Sequence, residues 1–249
     1  EGKKEISLLV TLKTKKEKTD TAWTEKSYTV KSSISNCSNT ANFTVEDGAT
    51  TGAVRLAGLI GNTLTANTID NCSNSGNHTV KKATTTENRI AGLFTGSSYS
   101  LSMTNCSNSG MMELATDATA EWVYMSGISS ATVKSKSIEN CSNTGSLKVG
   151  DNITFSNYIQ LSGLFRGISG EEDVTPTVKD CTNSGSLNVG KTTSTSTGNE
   201  GRIYMAGLVG TLDAGALENC YNEVAGTITA TETTSSKEYM VGGLIGYIS

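Results

Sequence analysis

The stretch Asn140-Cys141-Ser142-Asn143-Thr144-Gly145-Ser146-Leu147-Lys148-Val149 decides how this chain is read, because its first four residues return along the whole sequence. The tetrad recurs as Asn36-Cys37-Ser38-Asn39, Asn71-Cys72-Ser73-Asn74, Asn105-Cys106-Ser107-Asn108, Asp180-Cys181-Thr182-Asn183 and Asn219-Cys220-Tyr221-Asn222. The period is about 34–40 residues, in the range of stacked or radial repeat folds. A Gly follows most tetrads, as at Gly76, Gly110, Gly145 and Gly185, and a short alternating apolar segment comes next.

A second marker follows each Cys: Leu56-Ala57-Gly58-Leu59-Ile60-Gly61, Ile90-Ala91-Gly92-Leu93-Phe94, Met125-Ser126-Gly127-Ile128, Leu161-Ser162-Gly163-Leu164-Phe165, Met205-Ala206-Gly207-Leu208-Val209-Gly210 and Val241-Gly242-Gly243-Leu244-Ile245-Gly246. Between markers the segments are short, β-branched and bounded by Gly, Asn and Ser. None holds a 3.6-residue apolar period long enough for a helix, so helical repeats are excluded. The spacing predicts an all-β, single-domain parallel β-helix of about six coils, roughly 30 Å long, with residues 1–31 as an N-terminal strand or cap segment and residues 32–249 as the solenoid. Stacking equivalent residues about 4.8 Å apart turns each recurring residue into a column. The two Asn columns then read as amide ladders at a buried bend, the Cys column as small apolar filling, and the marker Gly as a place where no Cβ fits. A six-bladed propeller is the alternative, disfavoured because some 35 residues are tight for four strands.

The element Gly-Leu-Val/Ile-Gly after Asn-Cys-x-Asn-x-Gly resembles the GLUG-type repeat of bacterial surface proteins. The resemblance covers about residues 32–249. It is strongest at Ala206-Gly207-Leu208-Val209-Gly210 and Gly242-Gly243-Leu244-Ile245-Gly246, and weakest at Gly127-Ile128-Ser129-Ser130, where the closing Gly is missing. It implies a β-solenoid from an exported, extracellular or cell-surface bacterial protein. Such repeats decorate adhesins, non-catalytic parts of surface peptidases and other secreted proteins, so they imply architecture rather than one activity.

The composition narrows the function classes. The chain has 249 residues with net charge −4, 18% charged residues, one His and one Pro, and roughly a third of it is Ser, Thr and Asn. It offers no basic footprint for nucleic acid and no apolar run long enough to span a membrane, although a lipid anchor upstream is compatible with it. Six Cys without a Cys-x-x-Cys pair, and a single His78, do not compose a zinc set, and no cofactor is expected. Stacked Cys side chains run parallel and keep their Cβ atoms too far apart for a bridge, so six free, buried thiols are expected. His78 reads as a surface strand residue.

Enzymatic chemistry on a β-helix needs clustered carboxylates or bases on one face, and the acidic residues are scattered among repeat positions. The cluster Glu171-Glu172-Asp173 lies in the longest connection, beside Pro176, and reads as a solvated turn in preference to a calcium or glycan contact. An ice-binding solenoid needs Thr at one register in every coil, and Ala83-Thr84-Thr85-Thr86 and Thr192-Thr193-Ser194-Thr195 read as variable connections instead. The Asn-x-Ser sequons inside the tetrads read as ladder residues that a buried bend would hide from glycosylation.

Binding is the remaining class. Three positions before each marker Gly stand Arg55, Arg89, Tyr124, Gln160, Tyr204 and Met240, one stripe in a solenoid. Arg55, Arg89, Tyr124, Gln160 and Tyr204 are the candidate ligand-binding residues, suited to a glycan or a host or microbial surface protein. The competing reading is that each Tyr packs its ring on the neighbouring strand with its hydroxyl in solvent. The expected function is thus a non-enzymatic adhesin-like or scaffold module, as a monomer or with end-to-end contacts. The alternatives are the accessory stalk of a larger surface enzyme and a carbohydrate-active β-helix lyase or hydrolase. Because the chain stops just after the sixth marker, the last coil is expected to be covered by further chain or by another element.

Overall fold

The computed structural model describes residues 5–7, 15–19, 22–26, 33–62, 66, 68–96, 98–170, 174–196, 200–223, 226–231, 233–234 and 238–248. The architecture is the expected parallel β-solenoid, with no helix among these residues. One coil shows how the sequence builds it. The strand Ser129–Glu139 runs along a first face and ends at Asn140; Ser142–Asn143 forms a short second face; Leu147–Val149 forms the third; Ile153–Ser162 forms a long fourth face that ends at the marker Gly163. The second and third faces each stack six strands in parallel register. The first face carries a seventh rung, running from Ser33–Ser35 to Ile245–Ile248, and its six steps make about 29 Å at 4.8 Å per step, close to the expected 30 Å.

Each tetrad turns a corner. Its first residue adopts the left-handed region at every repeat, with φ between 49° and 55° at Asn36, Asn71, Asn105, Asn140, Asp180 and Asn219, which Asn and Asp tolerate best among residues bearing a side chain. The Cys that follows then points inward. Cys72, Cys106, Cys141 and Cys181 are fully buried, all six thiols are free, and each donates to the carbonyl two residues before it, as Cys141 Sγ does to Glu139 O at 3.4 Å. Its place as a donor among the stacked thiols of Cys106 and Cys181, together with burial, pushes the Cys141 thiol well above its ordinary range.

The second Asn of the tetrad is the interior ladder. Asn143 Nδ2 donates to Gly145 O and to Asn183 Oδ1, each at 2.8 Å. Its Oδ1 accepts from Gly145 N at 3.2 Å and from Asn108 Nδ2 at 2.8 Å. Both donors and both lone pairs of one amide are thereby used. The same inter-coil bond runs unbroken from Asn39 through Asn74, Asn108, Asn143 and Asn183 to Asn222. The marker glycines touch this column. A Cβ on Gly127 would overlap the Asn143 side chain and Gly163 O, and Gly58, Gly92, Gly163 and Gly207 meet the same obstacle. Among the marker glycines φ is not positive, so close approach rather than torsional freedom demands Gly there.

Apolar columns fill the rest in two clusters. One gathers the Cys column with Met103, Ile138, Val178, Leu164 and Phe165; the other gathers Met112, Leu147, Leu187, Phe155, Ile159 and Leu161. Each such side chain, fully buried, contributes roughly 1.5–3 kcal/mol.

Three sequence readings are corrected. His78 is not on the surface: it is fully buried in the inward column Phe43, His78, Met112, Leu147, Leu187 and Ile228, and it stacks on Phe43 at 5.1 Å and 18°. The tetrad is not buried throughout either. The sequon residues Asn36, Asn71, Asn105 and Asn140 are exposed on the corner, so burial does not hide them from modification. Finally, Thr50, Thr84, Thr119, Thr154, Thr193 and Thr234 do hold one register, one per coil. The outward column two residues further on is broken, with Gly52, Thr86, Glu121, Ser156 and Thr195, and so gives no second regular row.

The ends differ. Glu5–Ser7 pairs antiparallel with Ser33–Ser35 at the edge of the first face, and Lys15–Thr19 with Ala22–Lys26 forms a hairpin. At the other end the strands Glu238–Gly242 and Ile245–Ile248 belong to the sixth coil itself. Among the described residues nothing covers that coil, and Tyr221, Tyr239, Val241, Leu244, Tyr247 and Ile248 are exposed. Glu171-Glu172-Asp173 lies outside the described residues, but its surroundings are clear. The first face divides there into Phe165–Ser169 and Thr177–Lys179, and both strands keep parallel register with Ser129–Glu139.

Candidate functional site

Alternation along the fourth face sorts its residues into inward and outward columns. Ile90, Val123, Ile159 and Ile203 point inward and are buried. Between them Arg55, Arg89, Tyr124, Gln160, Tyr204 and Met240 stand in register as one column, one per coil. The structure therefore brings the sequence-derived stripe together in a single line, but not as a flat exposed surface. Arg55 is exposed, Arg89 and Tyr204 are half-buried, and Tyr124 and Gln160 are buried at 7% and 6% exposure.

Tyr124 and Gln160 lie under Arg166 at the floor of a cleft of about 500 Å³, a volume within the range of small-ligand sites. Tyr124, Gln160, Tyr204 and Met240 line it from the stripe. Tyr158, Arg202 and Glu238 come from the outward column two residues earlier, which also holds Glu87 and Trp122. Arg166, Thr211 and Tyr247 arrive from the first face. The stripe was legible by counting back from the marker Gly. The earlier column was missed although strand alternation places it on the same side, and Arg166 was missed because it belongs to another face.

Arg166 departs from the repeat. It occupies the closing position three residues after the marker Gly, which is Gly61, Thr95, Ser130, Gly210 and Gly246 in the other coils. Its guanidinium lies over the Tyr124 ring, 4.1 Å from Cζ to centroid, and Arg89 approaches the same ring at 5.1 Å. Its Nε donates to Gln160 Oε1 at 3.2 Å, while Gln160 Nε2 donates to Arg166 O at 3.1 Å. This reciprocal pair fixes both side chains at the cleft floor. Burial pushes the Arg166 guanidinium down from its usual value and the Tyr124 hydroxyl up.

The other arginines have carboxylate partners. Glu87 holds Arg89 at 2.7 Å and Arg55 at 3.3 Å. Although burial opposes ionisation, these two arginines keep the Glu87 carboxyl below its ordinary range. Arg202 pairs with Glu238 at 3.2 Å and its Nη1 donates to Tyr204 Oη at 3.3 Å. Tyr158 and Tyr204 tilt against each other with centroids 5.7 Å apart. The cleft thus offers aromatic rings on two walls, a fixed amide and a guanidinium, all on a rigid sheet. In comparisons with protein-family models, curated proteins and solved structures, nothing matches the chain.

Proposed function

We propose that the chain is a non-enzymatic, adhesin-like or scaffold module of an exported bacterial surface protein, whose β-helix presents this cleft to a glycan. The observation that carries the reading is the convergence of Tyr124, Tyr158 and Tyr204 with Gln160 and Arg166 on one concave, pre-formed site. Aromatic faces take the apolar C–H face of a sugar ring, and fixed amide and guanidinium groups take its hydroxyls. A rigid sheet holds these groups in place before binding, which lowers the ordering cost of association.

The composition of the cleft supports binding over catalysis. Glycoside hydrolysis in its usual form uses two carboxylates flanking the scissile bond. Here the described lining contributes one, Glu238, engaged by Arg202. Its wall of rings is the kind that anchors ligands at recognition sites.

The test is a glycan array probed with the wild-type chain and with Tyr124→Ala and Tyr204→Ala, using Tyr221→Ala on the exposed last coil as the control. Binding that both cleft variants weaken by tenfold or more and the control does not is the expected result. Normal binding by both cleft variants, or no binding by the wild-type chain, contradicts the reading.

A further inference from the structure

Resting on the glycan reading above, we infer that the cleft selects an acidic sugar: a uronate-type residue whose ring lies on the tyrosines and whose carboxylate meets Arg166. Three independent observations carry this. First, Arg166 stands where the other five coils have Gly, Ser or Thr, so a long cation replaces a small residue only in the coil that forms the cleft floor. Second, among the described residues Arg55, Arg89 and Arg202 are each paired with a carboxylate, and Arg166 is not. Its polar side-chain contacts are with Gln160 and Tyr124.

Third, the surroundings favour an anion. Among the described residues Glu238 is the one carboxylate lining the cleft, and Arg202 offsets it; Glu87, whose charge also reaches Arg166, is shared by Arg55 and Arg89, which leaves Arg166 as an excess positive charge in a chain whose net charge is −4. A guanidinium removed from water, with one face on an aromatic ring, keeps its planar fork available for two parallel hydrogen bonds to a carboxylate. Charge in such a setting is less screened than on an open surface. Gln160 holds the Arg166 Nε and the Tyr124 hydroxyl takes one donor of the terminal nitrogens, whose remaining N–H groups make that fork.

The experiment is calorimetric titration of the full chain with carboxylated oligosaccharides ending in galacturonate, glucuronate or sialic acid, each paired with its neutral methyl ester. At least one acid is expected to bind about tenfold or more tightly than its ester, the factor expected of one charge-assisted contact. Arg166→Gln should bring the acid to the level of its ester, Arg166→Lys should restore part of the difference, and Tyr204→Ala should weaken acid and ester together. Glu238→Gln leaves the floor untouched and should strengthen acid binding; it keeps the inference testable if Arg166→Gln does not fold.

Esters binding as well as acids overturn the acidic-sugar inference while leaving the glycan reading in place. Absence of binding by every acid, ester and array glycan overturns both. A hexaglutamate peptide that binds as tightly, with the same Arg166 dependence, overturns the assignment to a sugar.

Discussion

The two asparagines of each tetrad are the same residue three positions apart, and they do different work. The first, as at Asn140, sits exposed on the corner with φ of 53°, and the side chains of its column bond irregularly in solvent, Asn71 Nδ2 to Asn36 Oδ1 at 2.6 Å, Asn105 Nδ2 to Asp70 Oδ1 at 3.2 Å and Asn140 Nδ2 to Asn105 Oδ1 at 3.5 Å. The second, as at Asn143, is fully buried with every donor and acceptor of its amide used. One position needs a residue that tolerates a left-handed backbone; the other needs an amide that donates and accepts in the same column. The sequence carries the trace of this difference. Asp180 replaces Asn at a corner, where Asp is also tolerated, whereas the inner position is Asn in all six repeats because a carboxylate has no N–H to pass along the ladder.

Substitution at the inner position should have the largest effect. Asn143→Leu removes four hydrogen bonds and strands Asn108 Nδ2, Asn183 Oδ1 and the backbone of Gly145 in a dry interior. A loss of about 3 kcal/mol or more is expected in denaturant unfolding; a loss below about 1 kcal/mol would mean that the column is incidental. Gly127→Ala approaches the same column from the other side. It should cost about 1–3 kcal/mol through overpacking against Asn143 and the backbone of the next coil.

The outer position should respond less, and to torsion alone. Asn140→Ala is expected to cost about 1 kcal/mol, the price of a left-handed backbone without Asn or Gly, and Asn140→Gly should be close to neutral. If Asn140→Gly costs as much as Asn143→Leu, the two positions are not distinct in kind.

His78 shows an interior polar side chain that the ladder does not serve. Among the described residues neither of its ring nitrogens has a hydrogen-bond partner, and burial pushes the imidazole below its ordinary value of 6.5. The unfolded chain therefore takes up a proton near pH 6.5 while the folded chain resists it, so stability is full above that pH and falls as the pH drops below it. His78→Met, which copies Met112 of the next coil, should remove that part of the acid dependence and raise stability at neutral pH by about 1 kcal/mol. Parallel pH–stability curves for the two chains would contradict this.

Much of the fold was legible because a solenoid converts sequence period into columns, and columns of Asn, Cys and Gly have few alternative explanations. What escaped notice had physical reasons. Thr84, Thr119, Thr154 and Thr193 fall 12 or 13 residues after their Cys, and turns of differing length hid the shared register. His78 shares strand parity with Val80, which is buried, so alternation already pointed it inward; its polarity misled. For the site, the stripe through Tyr124, Gln160 and Tyr204 could be counted from a marker on its own strand. Arg166 reaches Tyr124 across a corner, and no spacing rule within one strand connects them.

The most direct test of the ladder is hydrogen exchange of the asparagine side-chain amides followed by NMR in the native chain. The Nδ2 protons of Asn74, Asn108, Asn143 and Asn183 are predicted to exchange only through global unfolding, while those of Asn36, Asn71, Asn105 and Asn140 exchange at rates close to free amides. Fast exchange at the inner four, or equal protection in both sets, would contradict the claim that the inner asparagine column holds the coils together from a dry interior while the outer position turns the corner in solvent.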